Sequence, residues 1–159
     1  MNKEIERKFL LDKNIKIEVN DNFKQEITQH YLAFEPEIRL RKIHYPATHK
    51  TVYKITKKKG KGITREETEF NISKEMYLKL KELSEGKIKK DRYFIMDNDL
   101  VIAIDIYYDI DLMVTEIEFD NIEDAENCKP LDWFGEEVTY NEKYKNKNLA
   151  RYGLNTNLK

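Results

Sequence analysis

The first strand-like segment of the chain carries charge on one face and apolar side chains on the other. Side chains alternate along a strand, so Glu4, Glu6 and Lys8 share one face. Ile5 lies on the opposite face, together with Arg7. Same-face side chains are about 7 Å apart along a strand, so two such carboxylates can grip one cation. This polarity constrains the fold, because a buried charged face needs partners as much as an apolar face needs a core.

The same two-faced pattern recurs along most of the chain. Apolar, β-branched and aromatic residues alternate with polar ones in runs bounded by turn residues such as Pro36, Pro46, Gly60 and Asn98. The sequence predicts eight strands, at residues 3–11, 27–32, 38–43, 51–58, 63–72, 88–96, 100–108 and 112–119. About eight antiparallel strands with few helices predict a closed barrel or a sandwich.

Three predicted strands carry acidic pairs on one face, and three carry basic pairs. The acidic pairs are Glu4/Glu6, Glu67/Glu69 and Glu116/Glu118, with Asp105 as a further acid, and the basic pairs are Arg39/Arg41, Lys54/Lys58 and Lys90/Arg92. In a barrel whose apolar faces point outward under the helices, these charged faces surround a common interior. Buried charges are tolerated only when paired or bound to ions. We therefore expect counter-charged ligand, metal and water in that interior.

Three helices are predicted outside the strands. Ser73 is typical of an N-cap, and the apolar residues from Met76 to Leu83 recur at helical spacing before Gly86, which indicates a packed helix. Residues 121–127 predict a short helix and residues 142–152 a terminal one. The expected fold class is α+β and mainly β, with a few helices packed outside a closed barrel or a sandwich.

Length and composition limit the function classes. The 159 residues favour one domain over residues 1–159, and seven Phe, ten Tyr and one Trp indicate a folded protein despite 37% charged residues. A net charge of −1 argues against a general nucleic-acid binder. The single Cys128 excludes an intramolecular disulfide, and the histidines lack zinc-site spacing. No apolar run approaches the ~20 residues of a membrane span, and no signal-peptide core is present, so we expect a cytoplasmic protein without a membrane partner.

The inventory of the charged faces indicates the chemistry. Carboxylate oxygens are hard donors that suit Mg²⁺ or Mn²⁺. Arginines suit phosphate, because the planar guanidinium binds two oxygens at once. Acids for a metal combined with a ring of Arg and Lys are typical of phosphoryl transfer. No Ser or Cys nucleophile stands out, so attack by water is the simpler mechanism, and a long anion such as triphosphate fits a tunnel.

An ordered series of motifs resembles the CYTH-domain family, also called the triphosphate tunnel metalloenzymes. The leading motif is E-x-E-x-K at residues 4–8. The others follow in order: Q-x-Y-L at 29–32, R-x-R at 39–41, T-x-K at 56–58, R-x-E-x-E at 65–69, K-x-R-Y at 90–93, Asp105, and E-x-E at 116–118. The segments 133–139 and 143–146 are similar to short bacterial members, so the resemblance covers nearly the whole chain.

The resemblance implies a closed eight-stranded antiparallel barrel with a few helices packed outside. Its tunnel would bind a triphosphate together with Mg²⁺ or Mn²⁺, with two ions expected. The resemblance assigns the metal to Glu4, Glu6, Glu116 and Glu118, and the phosphates to Lys8, Arg39, Arg41, Lys58, Arg65, Lys90 and Arg92. Catalytic roles fall to Glu4, Glu6, Asp105 and Lys143. A second metal, Glu4 or Asp105 would position the attacking water, and Lys143 would close one tunnel mouth. Lys54 is an alternative to Lys58, although the spacing to Arg65 favours Lys58, and Glu67 with Glu69 would share charge balance and water positioning.

The expected reaction is hydrolysis of inorganic triphosphate to pyrophosphate and phosphate. A class IV-type adenylate cyclase, or a thiamine or nucleoside triphosphatase, would use the same tunnel, and the absence of an evident nucleoside-binding segment mildly favours the smaller substrate. A polyphosphate- or nucleotide-sensing module is the non-enzyme alternative, against which the acidic set argues because carboxylates without metal weaken anion binding. A structural barrel with solvated faces is a further alternative. The sequence leaves the preferred metal open, and also whether the protein is a monomer or a homodimer.

Overall fold

The strands close into one barrel. The computed structural model describes residues 2–154. Its strands are β1 (Asn2–Leu10), β2 (Gln25–Phe34), β3 (Glu37–Tyr45), β4 (Lys50–Lys59), β5 (Thr64–Ile72), β6 (Lys87–Asp97), β7 (Leu100–Tyr107) and β8 (Met113–Phe119). Neighbouring strands are antiparallel, in the order β1-β5-β4-β3-β2-β6-β7-β8. The predicted eight-stranded antiparallel barrel is confirmed, and each predicted strand is present with its ends shifted by no more than two residues.

The outer face of β1, β7 and β8 carries one apolar core. Its buried strand residues alternate along the three strands: Ile5, Ile102, Ile104, Ile117 and Phe119. Helix α2 (Ile122–Asn127) covers them with Ala125, and Trp133 and Phe134 of the following loop pack against the same core. The apolar faces therefore point outward here, as the alternation predicts.

Arg7 also lies on this outer face, where its side chain links β1 to the end of α2 by hydrogen bonds. Its guanidinium donates to the carbonyl oxygen of Ala125 in the last turn of the helix, at 2.9 Å, and to that of the C-cap residue Cys128, at 2.8 Å. It also forms a bidentate pair with Glu137 at 2.7 and 2.8 Å. These carbonyls lack helical partners, so the contact satisfies them while compensating the buried charge.

A second apolar cluster fills one end of the barrel interior. Its buried residues are Tyr31, Ile88, Tyr107, Val114 and Leu149. Leu149 belongs to helix α3 (Asn146–Tyr152), which packs on β2 and β6. The charged part of the interior is therefore limited to the rest of the barrel.

Helix α1 (Lys74–Leu80) begins as predicted but packs differently. The Ser73 hydroxyl accepts a hydrogen bond from the Met76 N–H at 3.0 Å, which confirms the N-cap. After α1 the chain forms a 3₁₀ turn at Lys81–Leu83. The expectation of a packed apolar stripe is wrong, because Met76 and Leu83 are 48% and 68% exposed. The helix is anchored instead by Tyr77, whose ring lies 5.0 Å from that of Tyr53.

The predicted terminal helix over 142–152 is interrupted. Glu142–Tyr144 form a 3₁₀ turn, Lys145 has an extended backbone with φ −71° and ψ 135°, and α3 begins at Asn146. The side chain of Asn141 caps the turn by accepting from the Lys143 N–H at 3.1 Å. The interruption changes which lysine of this segment faces the barrel. Within residues 2–154, no helix has the length and hydropathy needed to cross a membrane.

Candidate active site

The charged part of the barrel interior encloses a cavity of about 510 Å³. Seven basic side chains line it, namely Lys8, Arg39, Arg41, Lys58, Arg65, Arg92 and Lys145. Eight acidic side chains also line it, namely Glu4, Glu6, Glu37, Glu67, Glu69, Glu116, Glu118 and Asp120. Phe94, Val101 and Ala103 form an apolar section of the wall. The strands thus bring most of the predicted site residues to one cavity.

Glu6 and Glu118 are two cavity carboxylates that form no ion pair with a described residue. They face each other across the β1–β8 ladder, and neither forms an ion pair with any residue between 2 and 154. Burial raises the pKa of Glu6, and nearby Glu4 raises it further despite Lys58. Burial, with Glu4 and Glu6, raises the pKa of Glu118. Both carboxylates would be stabilised by an added cation.

The other two predicted metal ligands, Glu4 and Glu116, already form ion pairs with basic side chains. Both carboxylate oxygens of Glu4 lie 2.9 Å from Lys58 Nζ. Glu116 lies 3.7 Å from Lys8 Nζ and 3.0 Å from Arg92 Nη2. Lys8 also donates to the Tyr144 carbonyl oxygen at 2.7 Å. In this arrangement ammonium and guanidinium groups neutralise the carboxylates from which a metal would take its oxygen ligands.

The carboxylate set suits Mg²⁺ or Mn²⁺ in its donor chemistry. Glu4, Glu6, Glu116 and Glu118 supply oxygen donors from two adjacent strands. No three His, Cys, Asp or Glu side chains in the described part of the chain converge closely enough to enclose an ion. For these four glutamates to coordinate one ion, their side chains would have to rotate toward each other while the backbone of β1 and β8 stays in place.

Arg41 is a cavity guanidinium that forms no ion pair with a described carboxylate. Its guanidinium donates twice to Gln29 Oε1, at 3.1 and 2.7 Å, and it forms no ion pair among residues 2–154. Burial, followed by the positive charges of Arg39 and Arg92, lowers the pKa of Arg41 to about 10. An anionic ligand beside these three guanidinium groups would relieve the repulsion.

Glu37 is a cavity residue that the sequence analysis missed. Its carboxylate lies 3.3 Å from Arg65 Nη2 and 3.6 Å from Arg39 Nη1. Burial raises the pKa of Glu37, but Arg39, Lys58 and Arg65 outweigh it and hold the pKa below its usual value. Glu37 thus acts as an internal anion between two predicted phosphate ligands. The strand period contains the signal, since Glu37 precedes Arg39 and Arg41 on the same face of β3.

The structure places Lys58, rather than Lys54, on the cavity. Lys58 is buried and contacts Glu4 and also Glu67, at 3.5 Å. Lys54 pairs with Glu69 at 3.0 Å and is not part of the cavity wall. Burial raises the pKa of Glu67, but a hydrogen bond with Glu4 and the charge of Lys58 lower it overall. Glu67 therefore faces the cavity as a carboxylate.

Lys90 and Asp105 lie behind the cavity wall. Asp105 accepts hydrogen bonds from Lys90 Nζ at 2.7 Å and from Arg92 Nε and Nη2 at 2.6 and 2.8 Å. Both residues are fully buried and neither lines the cavity. Burial raises the pKa of Asp105, but Arg92 and Lys90 outweigh it and hold the pKa well below its usual range. The pair orients Arg92 instead of facing a ligand directly.

Lys143 is not part of the cavity wall, whereas Lys145 is. The ammonium of Lys143 lies over the Tyr144 ring, 5.6 Å from its centroid. Lys145 forms an ion pair with Glu142 at 2.8 Å and lines the cavity from the extended residue before α3. A continuous helix was expected here, and its interruption explains why sequence reasoning missed Lys145.

Comparison with known proteins agrees with this geometry. No protein-family model matches the chain. An inorganic triphosphatase of Nitrosomonas europaea is 36% identical over 105 residues, which are 63% of this chain and 69% of that protein. The crystal structure of the inorganic triphosphatase NE1496 matches with a TM-score of 0.65 at 32% identity, covering 95% of this chain and 96% of that one. An adenylate cyclase-like protein from Bacillus halodurans shares the fold alone, with a TM-score of 0.52 at 20% identity over 79% and 86% of the two chains. The identity and coverage of the triphosphatase relatives, on top of the charged tunnel, show that the chain belongs to the CYTH, or triphosphate tunnel metalloenzyme, family.

Proposed function

We propose that the protein hydrolyses inorganic triphosphate to pyrophosphate and orthophosphate with the help of a divalent metal ion. The observation that carries the proposal is unpaired charge of both signs in one cavity. Within residues 2–154, Arg41 lacks an acidic partner, and Glu6 and Glu118 lack a basic one. A triphosphate would neutralise the first and a metal ion the second. The likeness to inorganic triphosphatases supports the choice of substrate.

The cationic wall would bind the phosphate oxygens. The residues in this role are Lys8, Arg39, Arg41, Lys58, Arg65 and Arg92. Arg39 and Arg65 now contact Glu37, so a phosphate would compete with that carboxylate for them. Lys90 would contribute by holding Asp105, which fixes Arg92 through two hydrogen bonds. Charge-assisted bidentate contacts of this kind are roughly twice as strong as neutral ones.

The acidic wall would hold Mg²⁺ or Mn²⁺. Glu6 and Glu118 are the primary ligands in this proposal, with Glu4 and Glu116 completing sites for two ions. When bound, such an ion supplies charge neutralisation along the phosphate chain and a more acidic water. Lys58 and Lys8 would then exchange their present carboxylate partners for phosphate oxygens.

Glu4 and Glu67 are placed to position the attacking water. Both carboxylates contact Lys58 and line the cavity. As water oxygen bonds to the terminal phosphorus, the bond to the bridging oxygen breaks, a proton passes to a carboxylate, and pyrophosphate leaves. We assign this base to Glu4 or Glu67 in preference to Asp105, because the Asp105 oxygens accept three hydrogen bonds and do not line the cavity.

An organic triphosphate is a second candidate substrate. Phe94, Val101 and Ala103 form an apolar section of the cavity wall on β6 and β7. An inorganic chain has no group that gains from such a wall, whereas a base or thiazolium ring does. Thiamine triphosphate and ATP therefore belong in the same experiment.

The test is to supply purified protein with triphosphate, ATP or thiamine triphosphate, each with Mg²⁺ or Mn²⁺, and to measure phosphate and cyclic AMP. We expect phosphate release to be fastest from inorganic triphosphate. Faster turnover of ATP or thiamine triphosphate would assign the organic substrate, and cyclic AMP would assign a cyclase. Tight triphosphate binding without any turnover would identify a sensor module and reject the enzyme.

A further inference from the structure

A second cavity, of about 90 Å³, adjoins the large one. It lies where the β2–β3 and β4–β5 turns meet the segment that leads into α3. Glu37, Lys58, Arg65 and Lys145 line both cavities and therefore form the wall between them. The far side of this small pocket is built from Lys61 and Lys147, together with Glu35 and Glu142. No part of the proposed mechanism uses these four residues.

The small pocket has an excess of positive charge. Its lining holds five cationic residues against three acidic ones, Glu35, Glu37 and Glu142. Lys147 Nζ lies 3.4 Å from Glu35 and 3.2 Å from the Phe34 carbonyl oxygen. Lys61 forms no ion pair with any residue that the structure describes.

The acidic side chains of this pocket already form ion pairs with its basic side chains. Burial raises the pKa of Glu142, but its hydrogen bond with Lys145 and the charges of Lys145, Lys147 and Lys61 lower it overall. Glu37 is likewise held ionised by Arg39, Lys58 and Arg65. Lys58 also pairs with Glu4 and Glu67 of the large cavity. Among the described residues, the cation of this pocket that remains without an acidic partner is therefore Lys61, and its charge favours an anion.

The size of the small pocket selects a compact anion. A space of about 90 Å³ suits a compact group such as one tetrahedral oxyanion. The large cavity, at about 510 Å³, has several times that space and suits a triphosphate chain. The two cavities therefore suit anions of different length.

We propose that the small pocket binds orthophosphate, the shorter product of the proposed hydrolysis. A terminal phosphate freed in the large cavity would cross a wall in which Lys58, Arg65 and Lys145 outnumber the single carboxylate of Glu37. Orthophosphate in the small pocket leaves the large cavity open to triphosphate. The assignment of the anion rests on the proposed function, whereas the pocket itself does not.

The binding test uses inorganic phosphate as the probe, titrated into the intact protein and followed by calorimetry or ³¹P NMR. Lys61→Ala and Lys147→Ala should each weaken phosphate binding about tenfold, which corresponds to one charge-assisted contact. Lys57→Ala is the matched control, because Lys57 is an exposed lysine on the outer face of β4. Matching far-ultraviolet spectra and melting temperatures would show that the variants are folded. Unchanged affinity in both pocket variants would overturn the proposal.

The kinetic test asks whether phosphate and triphosphate compete. If orthophosphate binds in the small pocket, it inhibits triphosphate hydrolysis noncompetitively, and both pocket variants need more phosphate for the same inhibition. Purely competitive inhibition would place phosphate in the large cavity and contradict the proposal. A protein that fails to hydrolyse triphosphate, yet loses phosphate affinity in the two variants, would reject the proposed function and retain the pocket.

Discussion

The barrel interior has two parts that the same strands build in opposite ways. β7 places Asp105 next to the charged cavity and Tyr107, two residues further on, in the apolar cluster. β8 does the same with Glu116 and Val114. The apolar part buries surface that stabilises the fold, whereas the charged part holds groups whose partners are incomplete. Substitutions in the charged part should therefore affect activity more than stability, and substitutions in the apolar part should do the reverse.

Arg41→Ala should give the largest functional loss in the charged part. Without this guanidinium we expect kcat/KM for triphosphate to fall by about 10²–10³, since one lost charge-stabilising donor costs about that much. The stability of the ligand-free protein should change little, because relief of repulsion from Arg39 and Arg92 opposes loss of the bonds to Gln29. Phosphate release and chemical denaturation measure the two effects.

The control for this variant is Lys42→Ala, which removes an exposed lysine from the next position of β3. Equal losses of activity in both variants would mean that general surface charge, and not the cavity, attracts the substrate. A large loss of stability in Arg41→Ala would show that the charged part also holds the fold together.

Leu149→Ala tests the apolar part. Leu149 is 2% exposed in the cluster beneath α3. We expect the free energy of unfolding to drop by about 2–3 kcal/mol, at the lower end for a buried leucine because a single short helix can adjust over the gap. Below the melting transition, kcat for triphosphate should stay near the wild-type value. A large fall in kcat without destabilisation would show that the apolar end shapes the charged cavity.

A pair of lysine variants sharpens the boundary between the two parts. Lys145 lines the cavity, whereas Lys143 lies over the Tyr144 ring. We expect Lys145→Ala to raise KM for triphosphate about tenfold, as for the loss of one charged contact, and Lys143→Ala to change it less than about twofold. The opposite ranking would restore the role that the family resemblance implies for Lys143.

Glu6→Gln should change the pH dependence of stability. The pKa of Glu6 in the folded protein is raised above 4.5, so the folded state binds this proton more tightly than the unfolded state does. Wild-type stability therefore falls as pH rises from about 4.5 through the folded pKa, and the variant lacks this contribution. We expect metal-free Glu6→Gln to become the more stable protein at neutral pH, because the amide does not carry the buried charge. Parallel denaturation curves over this range would mean that Glu6 is already compensated.

The period of the strands predicted eight two-faced strands, and the family resemblance implied their closure into a barrel with the charged faces inward. The strand period could not predict which of the inward-facing residues line the cavity and which are buried behind its wall. Lys90 and Arg92 share the inner face of β6, yet only Arg92 lines the cavity, because closure of the barrel buries Lys90 against Asp105. The apolar end was also missed, since Tyr31 and Val114 look like ordinary strand residues until α3 packs over them.

Local backbone geometry accounts for the other differences. A continuous helix was expected over 142–152, but Lys145 takes an extended conformation that no helical pattern reveals. Glu37 could have been found, because it continues the spacing of Arg39 and Arg41 toward the turn. An acidic residue next to basic ones on the same face of a strand can be their internal ion-pair partner, as Glu37 is for Arg39.

The central claim is that the charged cavity hydrolyses triphosphate through a metal site on Glu6 and Glu118. Its most direct test is the rate of phosphate release from triphosphate across a Mg²⁺ or Mn²⁺ titration, for wild type, Glu118→Gln and Glu66→Gln. Glu66 is an exposed acid on the outer face of β5 and serves as the matched control. The account predicts metal-dependent release by wild type and Glu66→Gln, and a rate lower by about 10²–10³ for Glu118→Gln at every metal concentration. Wild-type rates and metal dependence in Glu118→Gln would contradict it.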